Sequence, residues 1–188
     1  MKKRLDEISE ISIGALTSRY SKRYEGPKEN KAVLYYKGKE LYIEFEEIAT
    51  DIDDKYLTHN GDIIFRLSEP QFATKVAEEE LIPEGIVISS KFAIIRPNDN
   101  INPDFLTSLL NSTIVKNQFL KYSEGNVIKQ IKIRDLSKIQ LEIPSTEEQN
   151  EYAEYIRLIK KEIKLYEQLI IEHKDLVEGI LEKSQGGQ

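Results

Sequence analysis

The stretch TEEQNEYAEYIRLIKKEIKLYEQLIIEHKDLVEGILEK, residues 146 to 183, decides the fold. Within it Ile156, Ile159, Ile163, Tyr166, Ile170, His173, Val177 and Ile180 recur at alternating spacings of three and four. That is the seam of a coiled-coil helix, sustained for more than three heptads. Leu158, Leu165, Leu169 and Leu176 form a second stripe beside it, so the apolar face is broad enough to meet more than one neighbour. At about 1.5 Å per residue the helix is roughly 55 Å long, more than the rest of the chain can cover, so part of it should project. Pro144 precedes it, Ser145 or Thr146 offers the N-cap, and Glu147 and Glu148 suit the first turn. Residues 184–188 read as a frayed, disordered tail.

Residues 1–144 read differently. Short β-rich runs cover Ala32 to Tyr36, Leu41 to Phe45, Asp62 to Leu67, Gly85 to Ser89 and Phe92 to Arg96, separated by turn signals such as Gly26-Pro27 and Asn60-Gly61. Asn102 before Pro103 then caps a short helix with Phe105, Leu106, Leu109 and Leu110 on one face. Ser112 or Thr113 caps a second, running to about Tyr122. Residues 121–126 and Asp135-Leu136-Ser137 read as loops, and Ile139 to Ile143 alternates as a last strand. The expectation is an α+β chain: a β-rich domain at 1–144, then a helical region at 145–183.

Composition narrows the function. The chain has 188 residues, no cysteine and two histidines, His59 and His173. A disulfide framework and thiolate metal sites are thereby excluded, and ordinary zinc sites lack ligands. No signal peptide or long apolar run is present, which points to a cytoplasmic protein away from membranes. The net charge of −6 is unevenly spread. Residues 1–39 carry ten Lys and Arg against five Asp and Glu, residues 40–90 three against thirteen, and residues 116–138 six against two. Two basic segments flank an acidic one, so a nucleic-acid partner would meet the first and third, with the acidic segment facing away.

Enzyme signatures are sparse. No phosphate loop of the form glycine, four residues, glycine-lysine-serine/threonine occurs. Asn102-Pro103-Asp104-Phe105 lacks the second proline of the amino-methyltransferase motif, and no glycine-rich cofactor loop precedes it. Glu44, Glu46, Asp51 and Asp53 could bind magnesium as a nuclease does, the main enzymatic alternative, though a solvated acidic face needs only the same residues.

The order of features is informative. Leu5, Ile8, Ile13 and Gly14 open a β-rich domain, followed by Gly61-Asp62-Ile63-Ile64 and by Ile101-Asn102-Pro103-Asp104-Phe105-Leu106. Then come Gly125-Asn126-Val127-Ile128-Lys129-Gln130-Ile131, Leu136, Ile139, Ile143-Pro144, Glu148-Gln149 and the long helix. Nearly the whole chain resembles one repeat of the DNA-specificity (S) subunit of type I restriction-modification systems, in a single-repeat (half) form. The resemblance implies a non-catalytic target recognition domain that reads half of a bipartite site in double-stranded DNA. It also implies a helical region that spaces the halves and docks the methyltransferase (M) subunits, with a restriction (R) subunit in the full complex. The cofactors AdoMet and ATP would belong to those partners, and none to this chain, which needs no metal.

Members of that family usually carry two repeats. A homodimer would restore the pair, with Ile156, Ile159, Ile163, Tyr166, Ile170, His173, Val177 and Ile180 as interface and a palindromic, gapped site as the consequence. A truncated fragment, a silent cassette or an assembly protein that never meets DNA would share these features. The expected DNA contacts are Arg19, Tyr20, Ser21, Lys22, Arg23 and Tyr24, on a loop before Gly26-Pro27, with Lys28 and Lys31 continuing the strip. In the third segment they are Asn126, Lys129, Gln130, Lys132 and Arg134. Lys91 follows Ser89-Ser90, with Arg66 and Lys75 as weaker candidates.

Overall fold

The computed structural model describes the whole chain except residues 39, 77–81, 123–129 and 187–188. Its centre is a sheet built from the runs Ile63-Ile64-Phe65 and Phe92-Ala93-Ile94-Ile95, apolar at successive positions because both faces are covered. The strands β2 (Ser9–Ile13), β5 (Ile63–Arg66), β6 (Ala73–Lys75) and β8 (Phe92–Pro97) run in the order β2-β8-β5-β6, all neighbours antiparallel. Ile63, Phe65, Ala93 and Ile95 face one way, toward α1 (Leu5–Ile8), α3 (Pro103–Leu110) and α4 (Thr113–Tyr122). Ile64, Phe92 and Ile94 face the other way, onto a second sheet.

That second sheet, in the order β4-β3-β7, pairs the hairpin strands β3 (Lys28–Lys37) and β4 (Glu40–Ala49) with β7 (Val87–Ile88). Leu34, Ile43 and Ile88 close the core between the sheets. On its far side Val33, Ile48 and Val87 pack with Ala15 and Ile52, beneath the rings of Tyr20 and Tyr56. A small third sheet joins β1 (Lys2–Arg4) to β9 (Gln140–Glu142). Two sheet margins are closed by side-chain amides. Asn111 accepts from the Ala73 N–H and donates to its carbonyl, both at 2.8 Å, and Gln118 does the same for Gln140 at 2.8 Å.

Several elements depart from the sequence reading. Residues expected in loops form short helices, α2 (Thr17–Tyr20) and α5 (Ile133–Ser137), the latter because Leu136 is drawn into the core. The hairpin strands are about twice as long as their apolar runs, since backbone pairing continues through polar residues to Lys28 and Ala49. The strands at Lys2–Arg4 and Ala73–Lys75 carry no apolar alternation and were not expected.

The long helix α6 spans Thr146–Ser184, 39 residues. Ser145 is its N-cap, in a reciprocal pair with Glu148. Ser184 lies inside the helix, and Gln185 and Gly186 close it, with Gly186 at φ +78° in the left-handed conformation that favours glycine there. The helix is fastened to the domain at its foot. The buried Gln149 amide accepts from the Asn102 N–H at 2.9 Å and donates to the carbonyls of Pro144 and Asn100 at 3.1 and 3.3 Å. Asn102 adds a bond to Asn150 at 2.7 Å, and Phe105 meets Tyr152. Beyond Ile156 the helix projects: Leu158, Ile159, Ile163, Leu165, Tyr166, Leu169, Ile170, Leu176, Val177 and Ile180 are between 45% and 60% exposed. Among the described residues no helix is long and apolar enough to cross a membrane.

Replacing Gln149 by Ala leaves an N–H and two carbonyls without their partner in a dry site. Stability should fall by about 2 kcal/mol in urea unfolding followed by circular dichroism; an unchanged midpoint would show that the foot of the helix is held some other way.

Candidate nucleic-acid interface

A run of backbone hydrogen bonds brings the two basic segments onto one rim of the domain. Gly14 and Ala15 dock on the turn between β7 and β8, with the Gly14 N–H bound to the Phe92 carbonyl at 2.9 Å and the Ala15 N–H to the Ile88 carbonyl at 2.7 Å. The Ser90 N–H returns to the Ala15 carbonyl at 2.7 Å. From the same turn the Lys91 carbonyl accepts from the Leu67 N–H at 3.1 Å, and the Leu67 carbonyl from the Ile131 N–H at 2.8 Å. Ser68 bridges to Gln130 beside it. The rim thus runs from residues 15–24 through 89–91 and 67–68 to 130–134.

Gly14 permits the first of these docks. A Cβ there would lie 2.3 Å from the Ser89 carbonyl oxygen and 2.5 Å from that of Ile88, both backbone atoms that a side chain cannot push aside.

Arg19, Lys22, Arg23, Lys28, Lys91 and Lys132 are exposed on this rim and its continuation into β3, and none has an ion-pair partner among the described residues. Arg134 is also exposed, with Asp135 at 3.7 Å, and Gln130 is exposed beside it. Cations so placed can exchange their water for phosphate without first breaking a bridge. Ser21 sits half-buried within the loop. Asn126 and Lys129, nominated from the sequence, lie outside the described residues, as does Gly125.

Other nominated side chains are already engaged. Tyr20 packs on Tyr56 with ring centroids 5.7 Å apart, and the Tyr24 hydroxyl donates to Asp51 at 2.6 Å, so both tyrosines brace the loop. Arg66 lies over the Tyr36 ring at 3.9 Å and donates to the carbonyls of Ser68 and Pro70. Lys75 is bound to Asp104 at 2.6 Å, and Lys31 to Glu29. Ser68 joins the rim without having been singled out; only its long-range pairing with Gln130 places it there.

The acidic segment does not turn wholly away. Asp51 holds Tyr24, and the Thr50 N–H reaches the Pro27 carbonyl at 3.1 Å, so this segment forms the bracket on which the basic loop rests. Of the carboxylates weighed for magnesium, Glu46, Asp51 and Asp53 serve separate local roles. Glu46 accepts from Tyr35, whose phenol is pushed up to about 12 by burial and by that bond. Asp53 caps a turn through the Lys55 N–H, and its ion pair with Lys55 lowers its pKa. Among the described residues no three His, Asp or Glu side chains converge as a metal site does. The buried Asp62 is raised by desolvation, against the opposing pull of the His59 N–H and of Arg96, which lies 3.1 Å away. Arg96 is thereby spent inside the fold. His173 is exposed on the free part of α6.

Comparison with known proteins bears on this arrangement. The type I restriction modification DNA specificity domain matches residues 1–173. A type I restriction enzyme MjaX specificity subunit of Methanocaldococcus jannaschii is 29% identical over 164 residues, 81% of this chain and 37% of that protein. Among solved structures, the HsdS subunit from Thermoanaerobacter tengcongensis superposes with a TM-score of 0.65 at 18% identity, over 97% of this chain and 47% of the other. A chain from a study of the assembly and conformational transition of the type I R-M system gives 0.65 at 17% identity, over 96% and 43%. The chain therefore spans less than half the length of each of these relatives.

Gly14→Ala should lower the thermal midpoint by the equivalent of about 1–3 kcal/mol, since the 88–92 turn must move away. A midpoint equal to wild type would mean that the close approach is not maintained in solution.

Proposed function

The chain belongs to the family of type I restriction modification DNA specificity domains, and from that membership we propose that it is the non-catalytic element that reads one half of a bipartite site in double-stranded DNA. The observation that carries this reading is the rim of exposed cations, of which all but Arg134 lack an ion-pair partner among the described residues, on segments held together by backbone bonds. Arg19, Lys22, Arg23 and Lys28 enter at one end, Lys91 lies between, and Gln130, Lys132 and Arg134 close the other. Arginine suits bidentate contact with guanine and the Gln130 amide suits adenine, while the lysines neutralise phosphate.

Two copies pair through the half-exposed seam from Ile156 to Ile180, and the twofold axis makes the site palindromic with a gap set by helix length. Methyltransferase subunits dock on the helical region and use AdoMet to methylate adenine, and an ATP-dependent restriction subunit joins at the same address. The overall charge of −6 leaves the isolated chain a weak DNA binder, with affinity gained once those subunits close on the duplex.

Changing Arg19, Lys22 and Arg23 together to Ala should reduce the slope of log affinity against log salt by up to about 2.7 per bound domain. An unchanged slope, measured by fluorescence anisotropy on duplex DNA, would remove this rim from the DNA face.

The functional test is co-expression with methyltransferase subunits, followed by mapping of methylated adenines. A gapped palindrome should appear with the wild-type chain and vanish with Ile163→Asp and Ile170→Asp combined. Methylation without a palindrome would end the dimer reading, and no methylation from a stable complex would favour a silent or assembly role.

A further inference from the structure

The basic rim carries one exposed side chain that phosphate binding does not use. Leu16 stands at its entry, 56% exposed, directly after Ala15, which is 1% exposed. Resting on the DNA reading above, we propose that Leu16 is a specificity-determining residue whose side chain packs against the 5-methyl group of a thymine in the major groove. In unmodified DNA thymine is the base that carries this group on its groove edge.

Three observations lead there. The first is how the residue is held. The Ala15 N–H is bound to the Ile88 carbonyl at 2.7 Å, the Ala15 carbonyl accepts from the Ser90 N–H at 2.7 Å, and the Leu16 carbonyl accepts from the Arg19 N–H at 2.8 Å. The backbone is therefore fixed on both sides of a side chain that is left in water. An apolar group presented in this way loses little freedom when a partner covers it.

The second is what surrounds it. The turn closed by the Arg19 N–H keeps the Cα atoms of Leu16 and Arg19 within about 7 Å of each other. Lys91 follows Ser90, the residue bonded to Ala15. Cations on both flanks would draw phosphates to either side of Leu16 and bring the groove between them onto it. Phe45 is 67% exposed, more than Leu16, but it stands in β4 between Glu44 and Glu46, with Glu47 next, where a duplex is repelled. Ile13, 47% exposed, pairs with Ala93 on the face of the central sheet that meets the short helices.

The third is chemistry. The arginines, lysines and Gln130 of the rim serve phosphates and the hydrogen-bonding edges of guanine and adenine. None of them reads a methyl group. Among the described residues exposed along the rim, Leu16 alone is aliphatic, and thymine alone offers an aliphatic contact in the groove.

The test starts from duplexes selected out of a random library by the full chain together with methyltransferase subunits. Each is resynthesised with deoxyuridine in place of thymidine, which removes only the methyl groups, and affinities are read by fluorescence anisotropy. The wild-type chain should bind the thymine duplex about four-fold more tightly than the uracil duplex, the effect of burying one methyl. Leu16→Ala should bind the two alike, with the thermal midpoint and salt slope of the wild type, because the side chain it shortens is exposed and uncharged. Comparing the two proteins on the same pair of duplexes cancels any effect of the methyl on DNA shape. Equal affinity of the wild type for both duplexes, or an undiminished thymine preference in Leu16→Ala, overturns Leu16 as a reader and leaves the DNA reading standing. Loss of assembly with the methyltransferase subunits in Leu16→Ala makes Leu16 a protein contact and likewise overturns the proposal. A library from which the wild type enriches no sequence overturns both readings.

Discussion

The amide of Gln149 sits almost without solvent where the foot of the long helix meets the segment before α3 and the strand exit at Pro144. The course of the long helix is conditioned by that joint. The domain can cover only the first turns of a helix about 58 Å long, so a glutamine, a tyrosine and an alanine must set the angle at which the remainder departs. Because three of its polar contacts go to backbone groups on fixed segments, the amide defines a direction, which a greasy contact of the same size would leave loose. What the seam can reach follows from that direction.

The rim of cations depends on a related economy. Basic side chains drawn into the fold are neutralised there: Arg96 by Asp62, Lys75 by Asp104, and Arg66 by carbonyls and a tyrosine ring. Those on the rim, Arg134 aside, have no ion-pair partner among the described residues. An acidic protein can therefore present a cationic edge without a large basic excess, and the acidic segment contributes by bracing it, through Asp51 and Tyr24. Steering by such an edge weakens steeply as salt is added.

Some of this was legible from residue order. The alternating three and four spacing that ends at Ile180 has one structural meaning, and the helix is where it was expected. The β-rich runs at Asp62 to Leu67 and Phe92 to Arg96 were likewise read as strands; that both of their faces are covered is known only from the fold. The rim was only half legible. Charge type marked Arg19, Lys22, Arg23 and Lys132, but their assembly rests on backbone bonds between residues far apart in the chain, such as Leu67 with Lys91 and Ile131, and backbone bonds carry no signature of residue type. Tyr20 and Tyr24 were chosen by type for DNA and are occupied by Tyr56 and Asp51, partners that only the folded hairpin brings near. The helix at Ile133–Ser137 was hidden because five residues are too few to show a period.

The amides of Asn111 and Gln118 have a further consequence. An open strand margin is a template on which copies of a protein can stack without limit. Here β6 and β9 each have a margin occupied by a side chain that imitates a neighbouring strand, and β4 carries Glu44, Glu46 and Glu47 along its length. With those routes obstructed, the apolar surface on offer among the described residues is concentrated on the helix. Concentrating this protein should therefore yield closed pairs that saturate, and not fibres that grow.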